Sequence, residues 1–259
     1  MVTNTSPVAN RATRIGRALA LLSLIVGVLC AIAALSAGPA YRTNVLALGV
    51  ALQTMRWAAT VAIGGAAVAL LAVLLSIAAS AAAPRSRGLA ASALAINVLV
   101  AAPPLYMYWQ LLHLPKIHDI STSPSNPPVF DAVLPLRKGA RIAVDYPADT
   151  AAEQHQGYPD IGPLALALAP PLAFERALQA ARAMGWDIVA AAPDTLRIEA
   201  TDTTPLFGFK DDVVVRITPQ GSGSVVDVRS LSRVGGSDFG TNARRVRVYL
   251  KRLSDSAGA

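Results

Sequence analysis

The first 115 residues of this chain contain seven arginines (Arg11, Arg14, Arg17, Arg42, Arg56, Arg85 and Arg87) and not one aspartate or glutamate. Between these arginines run three uncharged stretches, Ala18 to Tyr41, Trp57 to Pro84 and Gly88 to His113. A bilayer crossing needs about 20 apolar residues, and each stretch supplies them. With 53% hydrophobic and only 15% charged residues over the whole chain, the sequence is too apolar for an ordinary soluble protein. The apolar piece between the first two runs, Thr43 to Met55, is too short to span and is expected to lie at the interface or form an outer loop. The N-terminal half, 1–115, is therefore a membrane domain of three transmembrane helices.

Arginine bias orients it. Arg11, Arg14, Arg17, Arg85 and Arg87 fall on one side, against Arg42, Arg56 and Lys116 on the other. The richer side is expected to be cytoplasmic, with the C-terminal half outside. The first run also has the basic start and small residues of a signal peptide, but its length suits an anchor. Cleavage would leave two crossings and the same location. Gly64, Gly65, Ala66 and Ala67 allow close helix approach. Asn97 and the pair Pro103 and Pro104 are the only features within the runs that suit a polar path or a kink. No Asp, Glu or Lys lies within them, which argues against a transporter or proton channel.

The net charge of +7 belongs wholly to this half, because from Lys116 onward 16 Lys and Arg meet 16 Asp and Glu. A nucleic-acid footprint is thereby excluded. The single cysteine, Cys30, allows no intrachain disulfide.

Residues 116–169 form a proline-rich extended segment, with prolines at 124, 127, 128, 135, 147, 159 and 163. Ile117, Ile120, Val129, Phe130, Tyr158 and Ile161 give it apolar side chains that a flexible linker lacks, so parts of it are expected to lie as a strap over a domain. His118 beside Asp119 has no metal-ligand spacing and is expected to be a structural histidine bonded within a turn. His155, in EQHQG, is expected to be solvated.

From about Pro170 to Leu253 the pattern is that of a small α+β domain. A helix starts near Pro171, presents Phe174, Ala177, Leu178, Ala181 and Met184, and stops at Gly185. Four strands follow, at 186–191, 195–201, 212–218 and 224–231, joined by short turns as an antiparallel meander. A last helix, beginning between Asp238 and Thr241, carries Phe239, Ala243, Val246, Leu250 and Leu253 on one stripe. The expected architecture is two-layered, an antiparallel sheet packed against two helices, ending in a disordered tail at 254–259.

The candidate site is the strand-to-helix corner within VVDVRSLSRVGGSDFGTNARRVRVYLKRL. Arg229 and Arg233, two strand steps apart, form with Asn242 and Arg245 a clamp for a carboxylate or phosphate. Ser230, Ser232, Asp238, Asp211 and Asp212 complete the set. The competing reading is that the arginines pair with Asp211, Asp212, Asp227 and Asp238 and merely hold the corner together. No histidine follows His155 and no Gly-x-Ser-x-Gly elbow occurs, so the serines lack a base.

The ordered motifs HDIST, PPVF, YPDI, MGW, IEAT, FGFKDD and VRSLSRVGGSDFGTNARRVR resemble an uncharacterised family, domain of unknown function 1499, over His118 to Leu253. That resemblance implies an α+β domain of bacterial envelope proteins, often behind membrane segments, with no assigned activity. It maps the family pattern onto Asp211, Asp212, Arg229, Ser230, Ser232, Arg233, Gly235, Asp238, Gly240, Asn242 and Arg245. The resulting expectation is a multi-pass inner-membrane protein, N-terminus cytoplasmic and C-terminal domain periplasmic. It acts as a binding or envelope-maintenance module, with an envelope protein or anionic ligand as partner and no cofactor. The alternatives are an envelope hydrolase using Asp211 and Asp212, which must converge from opposite strand faces, and an anionic lipid-binding domain using the basic face of the last helix.

Overall fold

The structure is a computed structural model describing residues 7–78, 84–147 and 149–257. It divides into two compact units, Met1–Trp109 and Gln110–Ala259.

Helices α1 (Pro7–Arg42), α2 (Leu48–Ala78) and α3 (Pro84–His113) are each long and apolar enough to cross a membrane. The piece expected to stand apart at 43–55 does not: residues 43–47 form the turn, and Leu48 onward belongs to α2. Within LGVALQTM only Gly49 disfavours helix, and the apolar run beyond it carries the helix through. Small residues recur at alternating intervals of three and four on the buried side of α2, at Ala58, Ala62, Gly65, Ala69, Ala72 and Ser76. That period keeps one narrow seam facing its neighbours along the whole helix, while residues such as Leu21, Ile25, Leu29, Leu70 and Leu74 remain on the outer surface.

One polar node interrupts the seam. The Asn97 amide, fully buried, donates to the Ser23 carbonyl (3.1 Å) and hydroxyl (3.1 Å) and to the Ala93 carbonyl (2.8 Å). Ser23 Oγ in turn donates to the Gly65 carbonyl at 2.8 Å. A Cβ on Gly65 would stand 2.2 Å from Asn97 Oδ1, and one on Gly27 would stand 2.7 Å from its nitrogen, so both glycines make room for this side chain. Asn97 thus serves helix packing.

The second unit holds a six-stranded antiparallel sheet: β1 (Asp119–Ser121), β2 (Leu164–Leu166), β3 (Asp187–Ala192), β4 (Arg197–Thr203), β5 (Lys210–Gln220) and β6 (Gly223–Ser232). The order is β1-β6-β5-β4-β3, with β2 also pairing along β6. The four-strand meander matches the alternation in the sequence. The two short strands come from the proline-rich segment, which therefore closes the β6 edge. Helix α4 (Thr150–Gly157) also lies in this segment. Helices α5 (Pro170–Ala183) and α6 (Thr241–Ala257) cover one face. There Val213, Val215, Ile217, Val226 and Val228 meet Phe174, Ala177, Val246 and Leu253. Tyr249 is fully buried too, stacked on Trp186 at 4.9 Å, with its hydroxyl donating to the Ala177 carbonyl. Helix α6 reaches Ala257, so residues 254–257 of the tail expected at 254–259 are helical, and 258–259 lie outside the described residues.

The expected two layers are three. Residues 122–147 run as irregular chain across the other face of the sheet, where Phe130 and Val133 pack on Val214 and Leu231. The polar sides of β4, β5 and β6 are covered, not solvated.

Candidate functional site

Side chains alternate across a strand, so the nine residues picked out at the corner divide between two faces. On the helix-covered face lie Ser230, Ser232, Asn242, Arg245, Asp211 and Asp238. Arg245 donates to Asp211 (2.6 Å), Asp202 (2.7 Å) and Ser230 Oγ (3.0 Å) and to the side-chain oxygen Oδ1 of Asn242. Ser230 Oγ donates to that same Asn242 oxygen at 2.7 Å, and the Asn242 amide donates to Ser232 Oγ (2.9 Å) and the His118 carbonyl (3.0 Å). Asp238 accepts the backbone N–H of Gly240 (2.8 Å) and Asn242 (2.7 Å), tying down the start of α6. Burial holds the Asp238 carboxyl above the usual carboxylate range, against the pull of those two amides. Tyr158 is pushed up to about 12, first by burial and then by Asp238.

On the strap-covered face lie Arg229, Arg233 and Asp212. Arg233 grips Asp212 through two nitrogens (2.7 and 2.9 Å) and donates to the Leu136 carbonyl; Arg137, from the strap, takes the other side of the same carboxylate. Arg229 pairs with Asp119, not with any of the four acids expected for it. Its guanidinium makes bonds of 2.7, 3.0 and 3.2 Å to that carboxylate, donates to the carbonyls of Val144 and Pro128, and lies over the rings of Phe130 and Tyr146. Desolvation raises the Asp119 pKa, opposed by Arg229, and burial beside Asp119 pushes Tyr146 up to about 12. Asp227 is held by Arg216 and Thr122.

Irregular chain on a sheet leaves peptide groups that no ladder can satisfy, and buried peptide groups need partners. Charged side chains supply them here. Glu199 accepts the N–H of Asp131 and Val133 (both 3.0 Å), Arg216 donates to the Asn126 carbonyl, and Arg197 donates to that of Val129. Gln154, from α4, pairs with both backbone groups of Ser121, receiving its N–H (2.8 Å) and donating to its carbonyl (2.7 Å), as a further strand would.

The expected clamp of Arg229, Arg233, Asn242 and Arg245 is thus split by the sheet, and each arginine is engaged internally. Asp211 and Asp212 do not converge: they occupy opposite faces and each is neutralised by arginine. Among the described residues no group of three His, Cys, Asp or Glu side chains could hold a metal. His118 is not bonded within a turn through its ring. Its carbonyl accepts from Ser232 and Asn242, while its Nδ1 is buried with no partner at the rim of a cleft of about 270 Å³ that Asp119 and Arg141 also line.

A family model described as protein of unknown function (DUF1499) matches residues 119–253, just over half of the chain. The chain belongs to the DUF1499 family. No curated protein matches the sequence. The matched range runs from Asp119 to Leu253, so the DUF1499 domain includes the strap and its acid partner for Arg229 together with the sheet and α6. Asp119, Arg137, Glu199, Asp202 and Gln154 were missed as corner residues. For Asp119, Glu199 and Asp202 the signal was charge within strands beside a long irregular segment, whereas Arg137 and Gln154 lie off the strands and carried no such signal.

Proposed function

We propose that the protein is an inner-membrane anchor presenting its DUF1499 domain on the periplasmic side of a bacterial envelope, as a binding module without catalytic machinery of its own. The observation that carries this reading is the mutual pairing of the corner. Buried serines bonded to an asparagine, without a neighbouring base, are not nucleophiles, and the corner carboxylates are engaged internally, Asp211 and Asp212 by arginines and Asp238 by two backbone amides. Sidedness rests on the arginines near 11–17 and 85–87, which outnumber Arg42, Arg56 and Lys116 at the opposite helix ends.

The hydrolase alternative has no geometry in its favour, since its two aspartates face apart. Lipid docking through α6 is weakened because Arg247 pairs with Asp160 and Lys251 with Asp255, leaving Arg244 and Arg252 as exposed charges of that helix without a salt bridge among the described residues, and Arg252 donates to the Ala183 carbonyl. Topology is tested in a Cys30→Ser background with single cysteines placed by Arg244→Cys or Arg85→Cys, exposed to a membrane-impermeant maleimide in intact cells. Labelling at position 244 alone supports the reading; labelling at position 85 alone overturns it.

A further inference from the structure

The cleft at the strap brings several polar side chains without partners to one opening. It occupies about 270 Å³ beside β1 and is bounded by His118, Asp119, Arg141, Ala143, Asp145 and Leu231. Residues 141–147 alternate along it. Ile142 and Val144 turn inward against the Phe130 cluster and Tyr146 turns in to Gln154, so Arg141, Ala143, Asp145 and Pro147 stay on the open side. Asp119 forms part of the wall, but both its oxygens are held by Arg229, so its charge is cancelled there. A ligand would meet three polar side chains with no side-chain hydrogen-bond partner among the described residues: the Arg141 guanidinium, the Asp145 carboxylate and the His118 imidazole, which lines the cleft although its Nδ1 is itself buried and unbonded. Arg141 and Asp145 form no ion pair with each other, although four extended residues separate their Cα atoms by no more than about 14 Å.

We propose that this cleft binds a small zwitterion of the phosphoethanolamine type, its phosphate on Arg141 and His118 and its ammonium on Asp145. The guanidinium offers a planar fork that matches two phosphate oxygens, and the imidazole reaches a third. A bare anion would be repelled by Asp145 on the same rim, whereas an amine a few ångströms from the phosphate turns that carboxylate into a partner. The short methylene link then lies against Ala143 and Pro147. Metal binding does not compete, because Asp119 is already engaged. The same head group exists as a soluble molecule and on a phospholipid, and the cleft chemistry is shared by both.

The proposal rests on the binding-module reading, and one experiment separates the two. The full chain in maltoside detergent is titrated with O-phosphoethanolamine, inorganic phosphate and ethanolamine, following the melting temperature and the ³¹P spectrum. A ligand that binds the native state raises the melting temperature with concentration. Phosphoethanolamine is expected to do so more strongly than either fragment. Arg141→Gln is expected to weaken it by about tenfold or more, and Asp145→Asn to erase its advantage over phosphate. Both residues are exposed, so both variants fold. Mixed micelles containing phosphatidylethanolamine, compared with phosphatidylglycerol, identify the lipid as the source if they shift the protein more than the soluble zwitterion does. No shift with either form, or a shift unchanged in Arg141→Gln, overturns the site and leaves the non-catalytic reading standing. Conversion of the ligand seen by ³¹P overturns the non-catalytic reading and leaves the site.

Discussion

Replacing Arg229 by alanine tests whether the strap is held by buried charge. Arg229 is 3% exposed, as is the side chain of Asp119. The substitution removes three contacts to that carboxylate, two to strap carbonyls and the cover over two rings. Breaking a buried pair from one side costs about 3–5 kcal/mol, because the remaining charge stays buried and uncompensated. For a unit of this size that is a fall of about 6–20 °C in melting temperature. An exposed pair such as Arg247 with Asp160, broken by Arg247→Ala, should cost at most about 1 kcal/mol. The assay is thermal melting of the full chain in detergent, followed by Trp186 fluorescence in a Trp57→Phe, Trp109→Phe background. A second signature separates charge from packing. Without Arg229, Asp119 can escape its burial by taking a proton, so its carboxyl rises further above the ordinary range. Stability that depends on a raised acid is present at low pH and lost as pH rises, so the deficit of Arg229→Ala should be larger at pH 8 than at pH 5. A deficit no greater than that of Arg247→Ala, or one independent of pH, would refute the reasoning.

Gln154→Ala leaves both backbone groups of Ser121 buried and unpaired and should cost about 2–4 kcal/mol, whereas Gln154→Glu keeps an acceptor for the N–H but faces the Ser121 carbonyl with an oxygen; melting curves of both check this. Gly65→Ala places a methyl 2.2 Å from Asn97 Oδ1 and should force α2 away from α3, while Gly64→Ala, which meets nothing within 4 Å, should be silent; disulfide crosslinking between cysteines placed on α2 and α3 in a Cys30→Ser background reads the difference. The wild-type domain should gain stability as pH falls toward the ordinary carboxylate range, because Asp119 and Asp238 carry raised pKa values and the native state takes up protons before the unfolded chain does. Asp160, lowered by Arg247, acts in the opposite sense only as the pH drops to the ordinary carboxylate range. Asp238→Asn should reduce the gain, measured as melting temperature against pH.

The meander, both domain helices and the membrane spans were legible because each follows from local periodicity. Alternation of Val213, Val215 and Ile217 fixes which side of β5 faces the helices, and Phe174, Ala177 and Ala181 do the same for α5. Glycine at position 185, with φ of 78°, ends that helix as its lack of a Cβ permits. The acid-free N-terminal half needed no tertiary information either. Its helices follow from length and apolarity, and within them Asn97 stood out as a polar side chain in an uncharged run.

What contacts the polar sides of the strands could not be read locally. Arg197, Glu199, Thr201, Asp212 and Arg229 sit at positions where a two-layer domain would expose them, and alternation alone cannot tell water from a covering strap. Only the tertiary structure brings β1 and residues 122–147 onto the sheet, 75 to 110 positions away along the chain from their β5 and β6 partners Asp212 and Arg229. Once the strap is there, its unpaired peptide groups require donors and acceptors, and the charged side chains of the sheet meet them. The sequence by itself determined the elements and the membrane segments, because these depend on neighbours three or four residues away. The choice of Asp119 for Arg229, the separation of Asp211 from Asp212 and the cleft beside His118 belong to contacts between distant segments, which no local period records.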